Sequence, residues 1–223
     1  LCRYAMIQAL VFDFDGLIVD TETPMVEAWV AVHAQHGVAC DRAVLHDIVG
    51  HVGQGFDAWA AFDPVFDRTT LDLAYRRQAR QLIEQQPVLP GVKELISAAR
   101  DRGLALGVAS NSDHDHVEGH LARLGLLAQF DAIRCIDDVS QGKPAPDVYL
   151  AALAALDADP ARTVAFEDSV PGHLAAKRAG LHCVVVPNPS TVHFDFPAAD
   201  WKVPSLAHAT FDALVARFGS PAP

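Results

Sequence analysis

Residues 7–12 (IQALVF) form an apolar, largely β-favouring run that stops at Asp13, the pattern of a buried strand. The character changes between residues 24 and 86. Val26, Trp29, Val30 and His33 recur at helical spacing up to Gly37, a helix stop. Val44, Leu45 and Ile48 suggest a second helix, and Phe56, Trp59 and Ala60 a third. A longer helix spans about 69–86, with Leu71, Ala74, Tyr75, Gln78, Leu82 and Ile83 on one stripe. No strand pattern interrupts this stretch, which reads as a small helical lobe inserted after the first strand, with Trp29, Trp59 and Tyr75 in its core.

From Pro87 onward helix and strand alternate. Val92, Leu95, Ile96 and Ala99 mark a helix stopped by Gly103, and LALGVAS (104–110) marks a strand. Asp113 stands as N-cap of a helix carrying Val117, Leu121 and Leu124 and stopped by Gly125. A weaker strand lies near 132–136, followed by a helix over 146–156 with Pro146 as its first residue. Residues 163–166 and 182–186 read as strands around an alanine-rich helix, 171–179, that Gly180 ends. Such alternation predicts an α/β fold, a parallel sheet covered by helices on both faces. The proline-rich tail (187–204, then 221–223) reads as wrapping the surface or loose.

At 223 residues and 51% hydrophobic, the chain can build one sizeable core and a smaller second lobe. The net charge of −11 argues against nucleic acid or an anionic membrane as a general partner, but permits a local cationic pocket. Cys2, Cys40, Cys135 and Cys183 are scattered, without zinc-ligand spacing, and read as buried reduced thiols of a cytoplasmic protein. No apolar run approaches the ~18 residues of a membrane span. The start of the chain, one Arg and a short apolar stretch broken by Asp13, is unlike a signal peptide, and residues 1–5 read as a short extension with no structural part.

In parallel sheets ligands bind beyond the carboxyl ends of the strands. Four polar clusters fall there: Asp13-Phe14-Asp15-Gly16, Ser110-Asn111, Lys143-Pro144 and Glu167-Asp168. Asp13 and Asp15, two apart at a strand end, can face one side together. Carboxylates so close repel unless a dication joins them, and an all-oxygen donor set favours Mg²⁺ over zinc or copper. Glu167 and Asp168 could complete such a site, Lys143 supplies a point charge for a phosphate, and Ser110 and Asn111 offer a hydroxyl and backbone N–H groups. A nucleophile, a metal, an anion clamp and a second carboxyl make up a kit for phosphoryl transfer to a carboxylate. Each cluster taken singly is the ordinary content of a loop or helix start. Their succession at strand ends is what points to chemistry.

The runs DFDGLIVDTE (13–22), SNS (110–112), GKPAPD (142–147) and FEDS (166–169), the last followed by PGHLAAKRAG (171–180), resemble the haloacid dehalogenase superfamily. More narrowly, they are similar to its helical-cap branch, which includes β-phosphoglucomutase and many sugar-phosphate phosphatases. The resemblance implies a Rossmann-like core, residues 1–18 and 87–223, and a helical cap at 19–86. It implies that Asp13 attacks phosphorus and becomes an aspartyl phosphate, and that Asp15 protonates the leaving oxygen and then activates water. Mg²⁺ would be held by the Asp13 carboxylate, the Asp15 backbone carbonyl and Asp168, with Glu167 direct or water-bridged. Ser110, Asn111 and Lys143 would grip the phosphoryl oxygens, and Asp147 would orient Lys143 or cap its helix. Glu22, His51 and Gln54 are the expected substrate contacts, the last two in an interhelical loop of the cap that Gly53 and Gly55 loosen.

The acid at position 15 fits a phosphate ester, whose alkoxide leaving group needs a proton. Mutases of this branch typically carry a histidine shortly after the first motif, where this chain has Met25 in DTETPM. The expected activity is therefore hydrolysis of a small phosphorylated metabolite, most simply a sugar phosphate, by a monomer. A phosphomutase and a non-catalytic phospho-ligand binder are the alternatives. His114 and His116, two apart at a helix start, do not share a face and read as a solvated turn. Arg76 and Arg77 read as a solvated helix face.

Overall fold

The computed structural model describes residues 7–42, 44–45 and 57–219. Five strands, β1 (Ala9–Phe12), β2 (Ala105–Ala109), β3 (Ala132–Arg134), β4 (Thr163–Glu167) and β5 (His182–Val185), lie at the predicted places. A sixth, β6 (Trp201–Lys202), completes a sheet in the order β3-β2-β1-β4-β5-β6, with every pairing parallel. Strand order reverses direction at β1, whose two neighbours are β2 and β4. That crevice is where open parallel sheets bind ligands.

Side-chain alternation divides the core between the two faces. Leu10, Phe12, Leu106, Val108, Val164, Phe166 and Val184 pack on one face against α3 (Val92–Arg100), α4 (His114–Arg123) and α7 (Phe211–Phe218). Val11, Ala109, Ala165, Cys183 and Val185 pack on the other against α5 (Asp147–Leu156) and α6 (Val170–Arg178). Phe12 stacks on Phe166 across the central pair, ring centroids 4.8 Å apart, and both are fully buried. Each such ring contributes about 1.5–3 kcal/mol by leaving water.

Between residues 22 and 83 the described residues form helices, turns and irregular segments, with no strand. α1 (Glu22–Gln35) packs on α2 (Arg68–Ile83), and Trp29 stacks on Tyr75 at 4.6 Å, so the expected aromatic core is present. The chain leaves and re-enters this lobe side by side, with Val19 bridged to Val88 and the Leu89 N–H bonded to the Ile18 carbonyl at 2.9 Å. Residues 42, 44 and 45 are helical, while Ile48 lies outside the described residues. The third expected helix is instead a run of turns at 58–61. There the Asp57 carboxylate accepts the Trp59 N–H at 3.0 Å, an alternative to helical pairing that Asp offers readily.

The tail reading needs correction. Ser190 and Thr191 are fully buried, residues 201–202 are the sixth strand, and α7 follows, seated on the core through Leu214. Prolines set at strand and turn boundaries masked this order. Cys135 and Cys183 are buried free thiols as expected, whereas Cys40 is half-exposed. Among the described residues no helix is long and apolar enough to cross a membrane.

Candidate active site

β1 delivers Asp13 to the crevice, its N–H bonded to the Phe166 carbonyl of the neighbouring β4 at 2.9 Å. The chain then turns sharply at Gly16, whose φ of +73° suits glycine, and where a Cβ would lie 2.2 Å from an Asp168 oxygen. Because β4 pairs with β1, Glu167 and Asp168 arrive beside Asp13, and ligand atoms of all three lie within 4.8 Å of one another. Lys143, from the loop before α5, reaches into the group. Its Nζ donates to Asp13 Oδ1 at 2.7 Å and to Glu167 Oε1 at 2.6 Å. Tyr149 on α5 donates to the same Glu167 oxygen at 2.6 Å, and Ser169 donates to Glu167 Oε2 at 3.2 Å.

Apart from the half-buried Ser169 these groups are buried, and three carboxylates share one ammonium, which pairs directly with Asp13 and Glu167. The imbalance shows in their proton affinities. Burial and the neighbouring charge of Glu167 push Asp13 up to about 7, against the opposing pull of Lys143. Asp168 is pushed well above the carboxylate range by burial and by the charges of Glu22, Asp13 and Glu167. Lys143 is lost from water too, but the charges of Asp13 and Glu167 more than offset that burial and hold it protonated.

Asp15 belongs to a second cluster. Its Oδ2 accepts from Ser112 Oγ at 2.6 Å and its Oδ1 meets His116 Nε2 at 2.9 Å. Burial alone would raise its affinity for a proton. The hydrogen bonds from His116, Ser112 and Thr21, with the His116 charge, more than offset that and hold Asp15 below the usual carboxylate range. Two acids two residues apart are thus driven in opposite directions. His116 is therefore no solvated turn residue, and the sequence reading missed it. His114 does point elsewhere, to Glu118 and Asp138.

The match to known proteins bears on the same residues. The family model described as haloacid dehalogenase-like hydrolase covers residues 7–180, from the first strand through the helix after Asp168. This chain is a haloacid dehalogenase-like hydrolase. It is 38% identical over 219 residues to YhcW of Bacillus subtilis (strain 168), covering 96% of this chain and 99% of that one. It is 36% identical over 215 residues to hexitol phosphatase B of Escherichia coli (strain K12), covering 94% and 97% of the two chains. A CbbY variant from Rhodobacter sphaeroides in complex with xylulose-(1,5)bisphosphate superposes with a TM-score of 0.73 at 33% identity, over 91% of this chain and 96% of that chain.

The hydrolase places its remaining candidates unevenly. Ser110 is buried at the end of β2, its hydroxyl oxygen accepting the Ser112 N–H at 3.0 Å. Asn111, the expected contact to a phosphoryl oxygen, clamps the Lys143 backbone, donating to its carbonyl at 3.2 Å and accepting its N–H at 2.8 Å. Asp147 is the first residue of α5 behind Pro146, accepts from Ser140 at 3.2 Å, and neither orients Lys143 nor caps the helix. Glu22, at the start of α1, is buried beside Asn188 and Ser190, and one oxygen, Oε2, has no hydrogen-bond partner. Burial raises it to about 7, with the Asp15 and Asp20 charges adding to the effect against those two hydrogen bonds. Asn188, from the tail, donates to Asp168 Oδ2 at 2.6 Å and was not foreseen. Arg76 and Arg77 are exposed as expected, and His51 and Gln54 lie outside the described residues.

Asp13, Glu167 and Asp168 fit a hard dication. Their donors are all oxygen, they converge in a buried pocket, and their excess negative charge lacks a second cation among the described residues. The support behind them is tight. A Cβ on Gly172, in the first turn of α6, would lie 1.9 Å from Glu167 Oε2. Gly172→Ala is expected to evict the Glu167 carboxylate, cost about 1–3 kcal/mol by overpacking, and lower turnover about tenfold or more. Thermal melts and steady-state kinetics check both effects. An unchanged kcat would show that Glu167 has no part in holding Lys143.

Proposed function

We propose that this hydrolase is a Mg²⁺-dependent phosphatase that cleaves a small phosphorylated metabolite, a sugar phosphate, through an aspartyl phosphate on Asp13. The observation that carries the reading is the split between Asp13, buried and anchored 2.7 Å from the Lys143 ammonium, and Asp15, held separately by Ser112 and His116. The relatives' names, hexitol phosphatase B and a CbbY bound to a sugar bisphosphate, support the substrate class.

An Asp13 carboxylate oxygen attacks phosphorus as the ester P–O bond breaks, and the departing alkoxide takes a proton from Asp15. Asp15, now a carboxylate, takes a proton from the water that attacks the phosphoryl group, which releases inorganic phosphate and frees Asp13. In the geometry seen here the His116, Ser112 and Thr21 contacts favour the Asp15 carboxylate, the form from which the second of these steps begins. Lys143 stabilises charge on the phosphoryl oxygens, Asn111 and Glu167 hold that lysine in place, and Ser110 offers its hydroxyl. Asp13 and Asp168, with the Asp15 carbonyl and Glu167 directly or through water, would hold Mg²⁺, which would supply further charge neutralisation. Residues 19–86 act as the cap, entering and leaving through the Val19–Val88 pairing, and carry the choice of substrate through Glu22, His51 and Gln54.

The test is phosphate release from a panel of hexose, pentose and hexitol phosphates, nucleotides and β-glucose 1-phosphate, with Mg²⁺ or with chelator. Mg²⁺-dependent release from sugar or sugar-alcohol phosphates is expected. Glucose 6-phosphate formed from β-glucose 1-phosphate without release would make the protein a mutase. Binding without turnover of any member would make it a sensor.

A further inference from the structure

The first turns of α4 hold more than a helix start. His116, His120 and Arg123 stand four and three residues apart, so they share one face of α4. At one end of this row His116 Nε2 meets Asp15 Oδ1 at 2.9 Å. The His116 and His120 rings pack edge to face at 4.8 Å, and both lie against Phe14, at 5.6 and 6.1 Å. Arg123 Nε donates to His120 Nδ1 at 3.4 Å. The other end of the Arg123 fork leaves the row, donating to the Gln86 carbonyl at 3.2 Å and the Ile83 carbonyl at 3.5 Å. The first of these lies three residues beyond the end of α2, and the second belongs to its last residue and also accepts the Gln86 N–H at 3.0 Å.

The geometry points to His116 as a positioning residue for Asp15, with the His116–His120–Arg123 row tying that carboxylate to the end of α2. This rests on the phosphatase reading for the meaning of Asp15, but the row itself is a matter of contacts. Asp15 has a part-buried carboxylate with partners on both oxygens. Ser112 restrains one oxygen from the loop after β2, Thr21 adds a hydrogen bond from the residue before α1, and His116 holds the other oxygen from a helix whose far end grips the inserted lobe. Phe14 backs both rings, so the row cannot shift without moving the chain between Asp13 and Asp15. A substrate seated by the inserted lobe and a proton carrier seated by the core are thereby referred to one helix.

The discriminating measurement compares two esters that differ in their need for a proton. An alkyl phosphate needs its leaving oxygen protonated, whereas p-nitrophenyl phosphate leaves as a stabilised phenolate. In the Mg²⁺-loaded protein, His116→Ala is expected to lower kcat/KM, which reads only the step that expels the leaving group, about tenfold on the alkyl ester and less than about twofold on the aryl ester. His116→Gln, which keeps a donor N–H, should recover most of the loss. Arg123→Ala, with no contact to Asp15, should shift the ratio the same way, and the double variant should add little to either single one. Equal losses on both esters, or none, would overturn the proposal and leave a structural role only.

A second arm reads the row without turnover. In the same Mg²⁺-containing solution, Arg123→Ala should move the imidazole NMR signals of His116 as well as those of His120. If wild type released phosphate from neither ester, the phosphatase reading would fall. The row would then stand or fall on these signals, and unshifted His116 resonances would end it.

Discussion

Asp13→Asn is expected to reduce phosphate release by at least about 10⁴-fold with the fold retained, the size of loss that follows removal of a covalent nucleophile. The amide oxygen is a poor nucleophile, and neither Asp15, held in its own cluster, nor Glu167, bonded on both oxygens, stands ready to replace it. The fold should survive because Lys143 keeps Glu167 as its partner at 2.6 Å when Asp13 loses its charge. The sign for stability follows from the raised proton affinity of Asp13, about 7 in the folded chain against 3.8 for a free aspartate. Between those two values the folded form binds the proton more readily, so the metal-free protein loses stability as pH rises through that window. At pH 8 with chelator, the Asn variant should melt no lower than wild type. Near-normal turnover in this variant would refute the covalent mechanism, and a melt far below wild type would refute the electrostatic account.

Lys143→Ala should be the costliest single change at the site. Its side chain is 3% exposed, and it is the cation that faces the carboxylates of both Asp13 and Glu167. Removing one partner of a buried pair typically costs about 3–5 kcal/mol, because the remaining charge is left without compensation. For a chain of this size that is a fall in Tm on the order of 10 °C. Turnover should drop by orders of magnitude, since the lysine also faces the incoming phosphate. Added Mg²⁺ should raise the variant's Tm more than it raises that of wild type, because a dication at the same carboxylates replaces the missing charge. A variant that melts with wild type, or gains nothing extra from Mg²⁺, would show that Lys143 is not the counter-charge these contacts imply.

The legible part of this molecule is the part written locally. Apolar runs with helical or strand period, stopped by glycines, place β1 to β5 and most helices within a few residues, and Asp113 caps α4 as its spacing suggested. The two failures have local causes as well. Asp57 diverts residues 58–61 into turns, and the prolines of the tail hide a two-residue strand that pairs with β5.

The sequence by itself determined the α/β class, the parallel sheet and the set of acids and lysine that arrive at its carboxyl edge, because each depends on periodicity or on chain position relative to a strand end. Only the tertiary structure decided which of those groups meet. Lys143 finds Asp13 across 130 positions, and His116 finds Asp15 across 101. Asn188 reaches Asp168 from a segment with no motif of its own. Such pairings follow from sheet order. With β1 between β2 and β4, the loops after those strands converge on Asp13 and Asp15, and the segment after β5 closes against Asp168. Asp-His-Asp-His reads as a solvated turn until β2 and β1 are set side by side. Their pairing then brings one of its histidines to Asp15, and no spacing within the motif records that neighbour.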